Sequence, residues 1–217
     1  MKTAKKFIFF TLLFVIAFTV LPIQQKVEAA SPSVLTIGSQ NGDVWDLQYR
    51  LRQLGYPIGI DGKFGFQTYK TVRKFQADYG LAVDGIVGYQ TWRILKKKSL
   101  SKKEFELLAR LVYSEARGEP YKGQVAVAAV VLNRIDSNQF PNQLRSVIFQ
   151  DGAFTAVADG QLWLTPNQTA KNAALDAIRG WDPSYDALYY FNPKTATSKW
   201  IWTRPQIVKI GNHIFTR

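Results

Sequence analysis

The sequence predicts a mainly α chain, a small three-helix unit followed by a larger α+β domain in which helices dominate. Three observations carry this. An Asp-Gly-x-apolar-Gly-aromatic-Gln-Thr pattern occurs twice before residue 95. A run at residues 125–132 is apolar on every side. Short strand-like segments gather only after residue 186, once the helical patterns have ended.

At the start of the chain, Lys2, Lys5 and Lys6 precede an apolar run over residues 7–21. Val27-Glu28-Ala29 then puts small residues at the two positions a signal peptidase reads. This predicts a secretory signal over residues 1–29 and a secreted protein. The alternative is an uncleaved membrane anchor, for which the run is short.

Val44, Leu47, Leu51 and Leu54 mark the first helix, ended by Gly55. The pattern Asp61-Gly62-Lys63-Phe64-Gly65-Phe66-Gln67-Thr68 follows and leads into a helix over residues 68–76, with Tyr69, Val72 and Phe75 on one face. Its second copy, Asp84-Gly85-Ile86-Val87-Gly88-Tyr89-Gln90-Thr91, leads into a brief helix around Trp92 and Leu95. Each copy is a turn with two glycines and then a helix start. The Lys96-Lys97-Lys98-Ser99 charge run reads as a solvated linker, so the small unit is placed at 30–98 and the larger at 99–217.

In the second unit, Phe105, Leu108, Ala109 and Val112 share one helical face, and Glu115 continues it. Gly118 and Pro120 end the helix. A carboxyl on the buried side of a helix end is partly desolvated and holds its proton more readily, as a general acid requires. Pairing of Glu115 with Arg117, or local capping, is the bland alternative. The all-round apolar run at 125–132 predicts a helix through the middle of the domain. Thr165-Pro166-Asn167-Gln168 reads as a helix start with Pro in the first turn and capping-box spacing, running to Gly180. Residues 187–191 read as a strand, and residues 206–210 and 213–215 as a hairpin about Gly211-Asn212. Tyr189-Tyr190-Phe191 and Trp200-Ile201-Trp202 read as alternating, one side chain inward and the next free to stack on a ligand.

Composition narrows the chemistry. The chain has no Cys and one His, which excludes disulfides, a Cys nucleophile and a multi-His metal site. No metal and no cofactor are expected. His213 reads as a structural strand residue. The formal charge is +12, and a leader with four Lys and one Glu leaves +9 without it. A basic exported chain favours an anionic partner such as cell wall, and export argues against nucleic acid. The 14% of aromatic residues suits carbohydrate, although most of them will be core.

The paired Asp-Gly turns and Leu54-Gly55-Tyr56 resemble the type 1 peptidoglycan-binding domain of exported wall hydrolases. The second unit is similar over its full length to the SleB/CwlJ-type spore cortex-lytic cell-wall hydrolases. The matching stretches begin at Tyr113-Ser114-Glu115-Ala116-Arg117-Gly118-Glu119-Pro120-Tyr121. They continue through Gly123-Gln124-Val125 to Leu132-Asn133-Arg134, Gly152-Ala153-Phe154-Thr155-Ala156-Val157 and Asp159-Gly160-Gln161-Leu162-Trp163. Residues 187–193 and Ser198-Lys199-Trp200-Ile201-Trp202 complete them. The resemblance implies a lysozyme-like site with Glu115 as acid. It also implies lytic transglycosylation, in which the muramic acid 6-hydroxyl displaces the neighbouring sugar, with spore cortex as substrate during germination.

A hydrolase needs two carboxylates, whereas a transglycosylase draws its nucleophile from the substrate. Glu119, Asp136, Asp151, Asp159, Asp176, Asp182 and Asp186 are the candidates for a second carboxylate, and Asp151 and Asp159 bracket Phe154-Thr155. None is marked as strongly as Glu115. Arg117 is open between the muramyl lactyl or peptide carboxylate and Glu119. Phe154, Thr155, Trp163, Tyr189, Tyr190, Asn192 and Trp200 are the expected substrate-binding residues. The competing readings are a hydrolytic muramidase of the vegetative wall, a non-catalytic wall-binding protein, and a stem-peptide amidase that would need a metal or Cys set. A monomer is expected, and there is room for a regulatory protein partner.

Overall fold

The computed structural model describes residues 33–217, so the expected signal at residues 1–29 lies outside the described residues. No helix among the described residues is long and apolar enough to cross a membrane.

Helices α1 (Gly42–Gln53), α2 (Phe66–Asp78) and α3 (Tyr89–Lys98) enclose a core of Leu47, Leu51, Val72, Phe75, Trp92 and Leu95. The two copies of the repeat are tied by a device hidden in the sequence. Buried Gln48 of α1 donates Nε2 to Asp61 Oδ1 (2.8 Å), Lys63 O and Thr68 Oγ1, and its Oε1 accepts from the N–H groups of Asp61 and Gly62. Buried Gln76 of α2 does the same for the second copy through Asp84, Ile86 O, Thr91 and Gly85 N. Backbone N–H donation from Lys63, then Gln48, holds the Asp61 carboxyl below its usual range. Gly62 and Gly85 sit at φ 72° and 75°, where L side chains are strained, so both turns need glycine.

Lys96, Lys97 and Lys98 are not a linker. They form the last turn of α3, where cations suit the helix C-terminus. Only residues 99–101 lead to the next helix, and Arg50 donates to Ser99 O (3.0 Å) while Leu100 N donates to Gln53 Oε1 (2.7 Å).

The larger unit begins with α4 (Lys102–Ala116), which opens on a complete capping box between Ser101 and Glu104. Helix α5 (Tyr121–Asp136) follows, with residues 123–131 wholly buried. Short helices α6 (Leu144–Ile148) and α7 (Thr155–Ala158), a 3-10 turn (Gln161–Trp163) and α8 (Gln168–Ile178) complete the helical layer. Leu108, Leu111, Val112, Val125, Ala128, Val131, Ala170 and Ala174 form the core between α4, α5 and α8. Opposite them, Ala126, Val127 and Val130 of α5 meet Ala187, Ile210 and Phe215. Helix α5 is therefore sandwiched, which explains its all-round apolar sequence.

Strands β1 (Tyr189–Phe191), β2 (Gln206–Ile210) and β3 (His213–Thr216) make an antiparallel sheet in the order β1-β3-β2, and α9 (Lys199–Trp202) lies between β1 and β2. The hairpin closes at Gly211 with φ 59°, pairing Ile210 with His213. Glu119 clamps that turn by accepting from Asn212 N (2.8 Å) and Asn212 Nδ2 (3.0 Å).

Two local expectations fail. Helix α8 is capped by Asn167, whose side chain accepts from Ala170 N (2.8 Å), so Pro166 precedes the helix and no capping box forms there. Trp200-Ile201-Trp202 is helical rather than strand-like. Ile201 points inward, and Trp200 and Trp202 are 51% and 45% exposed. The expected split of neighbours is kept, Ile201 inward and both tryptophans outward; what differs is the backbone, which makes one helical turn in place of a strand.

Candidate active site

Glu115 occupies the last turn of α4, above Leu108 and Val112, and its carboxylate faces a cleft of about 680 Å³. Two donors hold it. Ala156 N, in the first turn of α7, donates to Oε1 at 2.8 Å, and the Tyr190 hydroxyl donates to Oε2 at 3.1 Å. Burial pushes the Tyr190 phenol well above its usual value, reinforced by the Glu115 charge, so the hydroxyl stays a donor across the physiological pH range.

The cleft is lined by Glu115, Arg134, Asp151, Phe154, Thr155, Tyr189, Tyr190, Asn192, Trp200 and His213, among others. Six of the seven side chains expected to bind substrate therefore border the space that Glu115 faces. Their surfaces differ. Phe154 is only 5% exposed and supports the wall, whereas exposed Trp200 stands edge-on to Tyr189, with ring centres 5.1 Å apart. Thr155 is exposed beside Ala156. Trp163 is not among the lining residues. It is 62% exposed, packs against Phe149 at 6.3 Å, and its carbonyl accepts from Arg110.

Of the candidate second carboxylates, Asp151 alone lines the cleft among the described residues. Asp159 is turned to Gln161, Glu119 to Asn212, and Asp176 accepts from the Tyr121 hydroxyl at 2.6 Å. Burial works against ionisation of Asp182. Bonds from Ser184, Asn133 and Asp186 outweigh it and hold the carboxyl below its usual range. Asp182 thus orders the turn that leads into β1. Arg117 forms no ion pair with Glu119 and is not among the residues lining the cleft. It donates to Gln161 Oε1 (2.7 Å) and lies over the Tyr113 ring.

Two cleft residues were not among the expected site residues, Arg134 and His213, the latter read only as a structural strand residue and found in β3. His213 is 8% exposed, with its ring 5.0 Å from that of Tyr190 and its Nδ1 buried without a hydrogen-bond partner among the described residues. Burial pushes this imidazole below its ordinary value, against the pull of Glu119 and Glu115, which favours its neutral form. Arg134 is 6% exposed. It follows Val130 by four residues and Val127 by seven, so the face test that singles out Glu115 applies to it equally.

No cluster of His, Cys, Asp and Glu able to hold a metal occurs among the described residues. The arrangement places a carboxyl on a half-buried helix end, in an open cleft with aromatic and amide walls. Beside a three-helix unit with duplicated Asp-Gly turns, this defines a cell-wall lytic enzyme.

Comparison with known proteins agrees. Residues 118–216 match the Cell Wall Hydrolase family model, starting just past Glu115, and residues 40–95 match a peptidoglycan binding domain model. The spore cortex-lytic enzyme of Bacillus cereus is 48% identical, across 89% of this chain and 90% of that one. The spore cortex-lytic enzyme of Oceanobacillus iheyensis is 44% identical, across 88% and 90%. A crystal structure of the catalytic domain of the Bacillus cereus SleB protein is 67% identical with TM-score 0.53, covering 55% of this chain and 93% of that one. The chain belongs to the spore cortex-lytic enzyme family.

Proposed function

We propose that this chain is an exported enzyme of spore germination that cleaves the muramic acid–glucosamine bond of cortex peptidoglycan by lytic transglycosylation. Residues 30–98 hold the wall and residues 99–217 carry out the cleavage. The observation that supports this most is the Glu115 carboxylate, held by Ala156 N and the Tyr190 hydroxyl in a cleft with one other carboxylate on its lining, that of Asp151. Protonated Glu115 gives its proton to the glycosidic oxygen as the bond to muramic C1 breaks. The muramic 6-hydroxyl then attacks C1 and returns its proton to the Glu115 carboxylate, leaving a 1,6-anhydro end and the starting protonation state. Between the two steps the Tyr190 hydroxyl and Ala156 N–H steady the carboxylate, as preorganised donors do for a developing charge. Thr155, Tyr189, Asn192 and Trp200 line the groove for hydroxyl, N-acetyl and ring-face contacts. Relatives bear directly on this reading: a Bacillus anthracis homologue, 67% identical over 54% of this chain, is described as a germination-specific lytic transglycosylase.

A hydrolytic muramidase of the vegetative wall is the second reading, favoured by Asp151 on the same cleft. Purified cortex fragments and vegetative sacculi, digested in parallel by the full chain, separate the two substrates. Soluble glycan should be released from cortex. Release from vegetative sacculi alone would overturn the cortex assignment.

A further inference from the structure

Arg134 is a buried cation without an anion among the described residues. Its Nε donates to Leu188 O at 2.7 Å, and its guanidinium carbon lies 5.0 Å from the Phe140 ring centre, 5.0 Å from Phe154 and 5.4 Å from Tyr189. Among the described residues no Asp or Glu forms an ion pair with it. An unpaired buried charge is unfavourable, and three ring faces offset only part of that. Apart from Nε, its donors have no hydrogen-bond partner among the described residues, and the residue borders the cleft that Glu115 faces. A guanidinium fork of this kind matches a carboxylate.

Resting on the reading that the cleft takes peptidoglycan, we propose that Arg134 receives a carboxylate carried by the glycan strand and makes the enzyme prefer strands that bear one. The lactyl arm leaves the same muramic ring whose C1 is attacked, so a cation on this lining is within the reach of substituents on that ring. The carboxylate has two sources, the lactyl group of peptide-free muramic acid or the terminus of a stem peptide. In either case it supplies the counter-charge that the described residues do not, and Arg134 acts as a specificity residue rather than in proton transfer.

The test is the ratio of kcat/KM for charged strands to that for the same strands with carboxyls converted to methylamides, measured with the full chain. Peptide-free and peptide-bearing strands are run separately, and the one that shows the preference identifies the source. The wild-type ratio should be roughly 10- to 100-fold, carried by KM, as for a lost charge-assisted hydrogen bond. It should fall toward one in Arg134→Met and partway in Arg134→Lys, which keeps the charge without the fork. A wild-type ratio near one on both strands overturns the preference while the proposed function stands. A ratio in Arg134→Met equal to that of wild type also overturns it and leaves Arg134 as a structural support. Should Arg134→Met fail to fold in a thermal melt, the wild-type and Arg134→Lys ratios decide. Cleavage of no strand by wild type defeats the proposed function, and this preference with it.

Discussion

Glu115→Gln should leave a folded chain that cleaves its substrate roughly 10²- to 10⁴-fold more slowly, the usual contribution of one general acid–base group. The amide keeps the shape of the carboxyl, and its oxygen can still accept from Ala156 N, which donates to Glu115 at 2.8 Å. It cannot give a proton to a leaving oxygen or take one from a hydroxyl. Gln and Glu have nearly the same volume, so the packing of the buried Leu108 and Val112 on the same helix face is kept. Turnover on purified peptidoglycan together with a thermal melt checks this. Wild-type rates from a folded Glu115→Gln chain would remove Glu115 from the chemistry.

Leu108→Ala should destabilise the chain by about 2–5 kcal/mol, the range for emptying a buried leucine site. Leu108 is fully buried in the core that α4 shares with α5 and α8. These helices meet tightly through alanines, Ala128 and Ala129 of α5 against Ala170, Ala173 and Ala174 of α8, which leaves little freedom to collapse into the space. Because α4 carries Glu115 at its far end, activity should fall along with stability. Denaturant unfolding measures the loss. A change under about 1 kcal/mol would mean that this packing does not hold the helix.

Periodicity made the helices and the hairpin readable. Val44, Leu47 and Leu51 announce α1, and Gly211-Asn212 between two apolar runs announces the β2–β3 turn. The same signals mislead where two periods fit a short stretch. Trp200-Ile201-Trp202 satisfies a strand pattern, yet it is a single helical turn. The Asn167 cap lies two residues beyond the Thr165 start because Asn167 Oδ1 reaches Ala170 N. Gln48 and Gln76 perform the same task, but one stands 13 residues before its Asp and the other 8, so the repeat search missed them.

In the cleft, Glu115 was legible because a charge on an apolar face is conspicuous. Its partners were not, since Tyr190 lies 75 residues away and Ala156 contributes only backbone. Arg134 sits near the end of α5, where a cation reads as an ordinary helix terminus. Trp163 belonged to a matching motif, but it faces Phe149 and solvent rather than the cleft lining.

Digestion of purified cortex peptidoglycan in heavy-oxygen water, with mass analysis of the new muramic ends, tests the central claim most directly. If Glu115 alone serves as acid and base, every new end is 1,6-anhydromuramic acid and none carries solvent oxygen. Reducing ends labelled from water would contradict single-carboxylate transglycosylation and bring in a water-activating group, with Asp151 on the cleft lining the first to substitute.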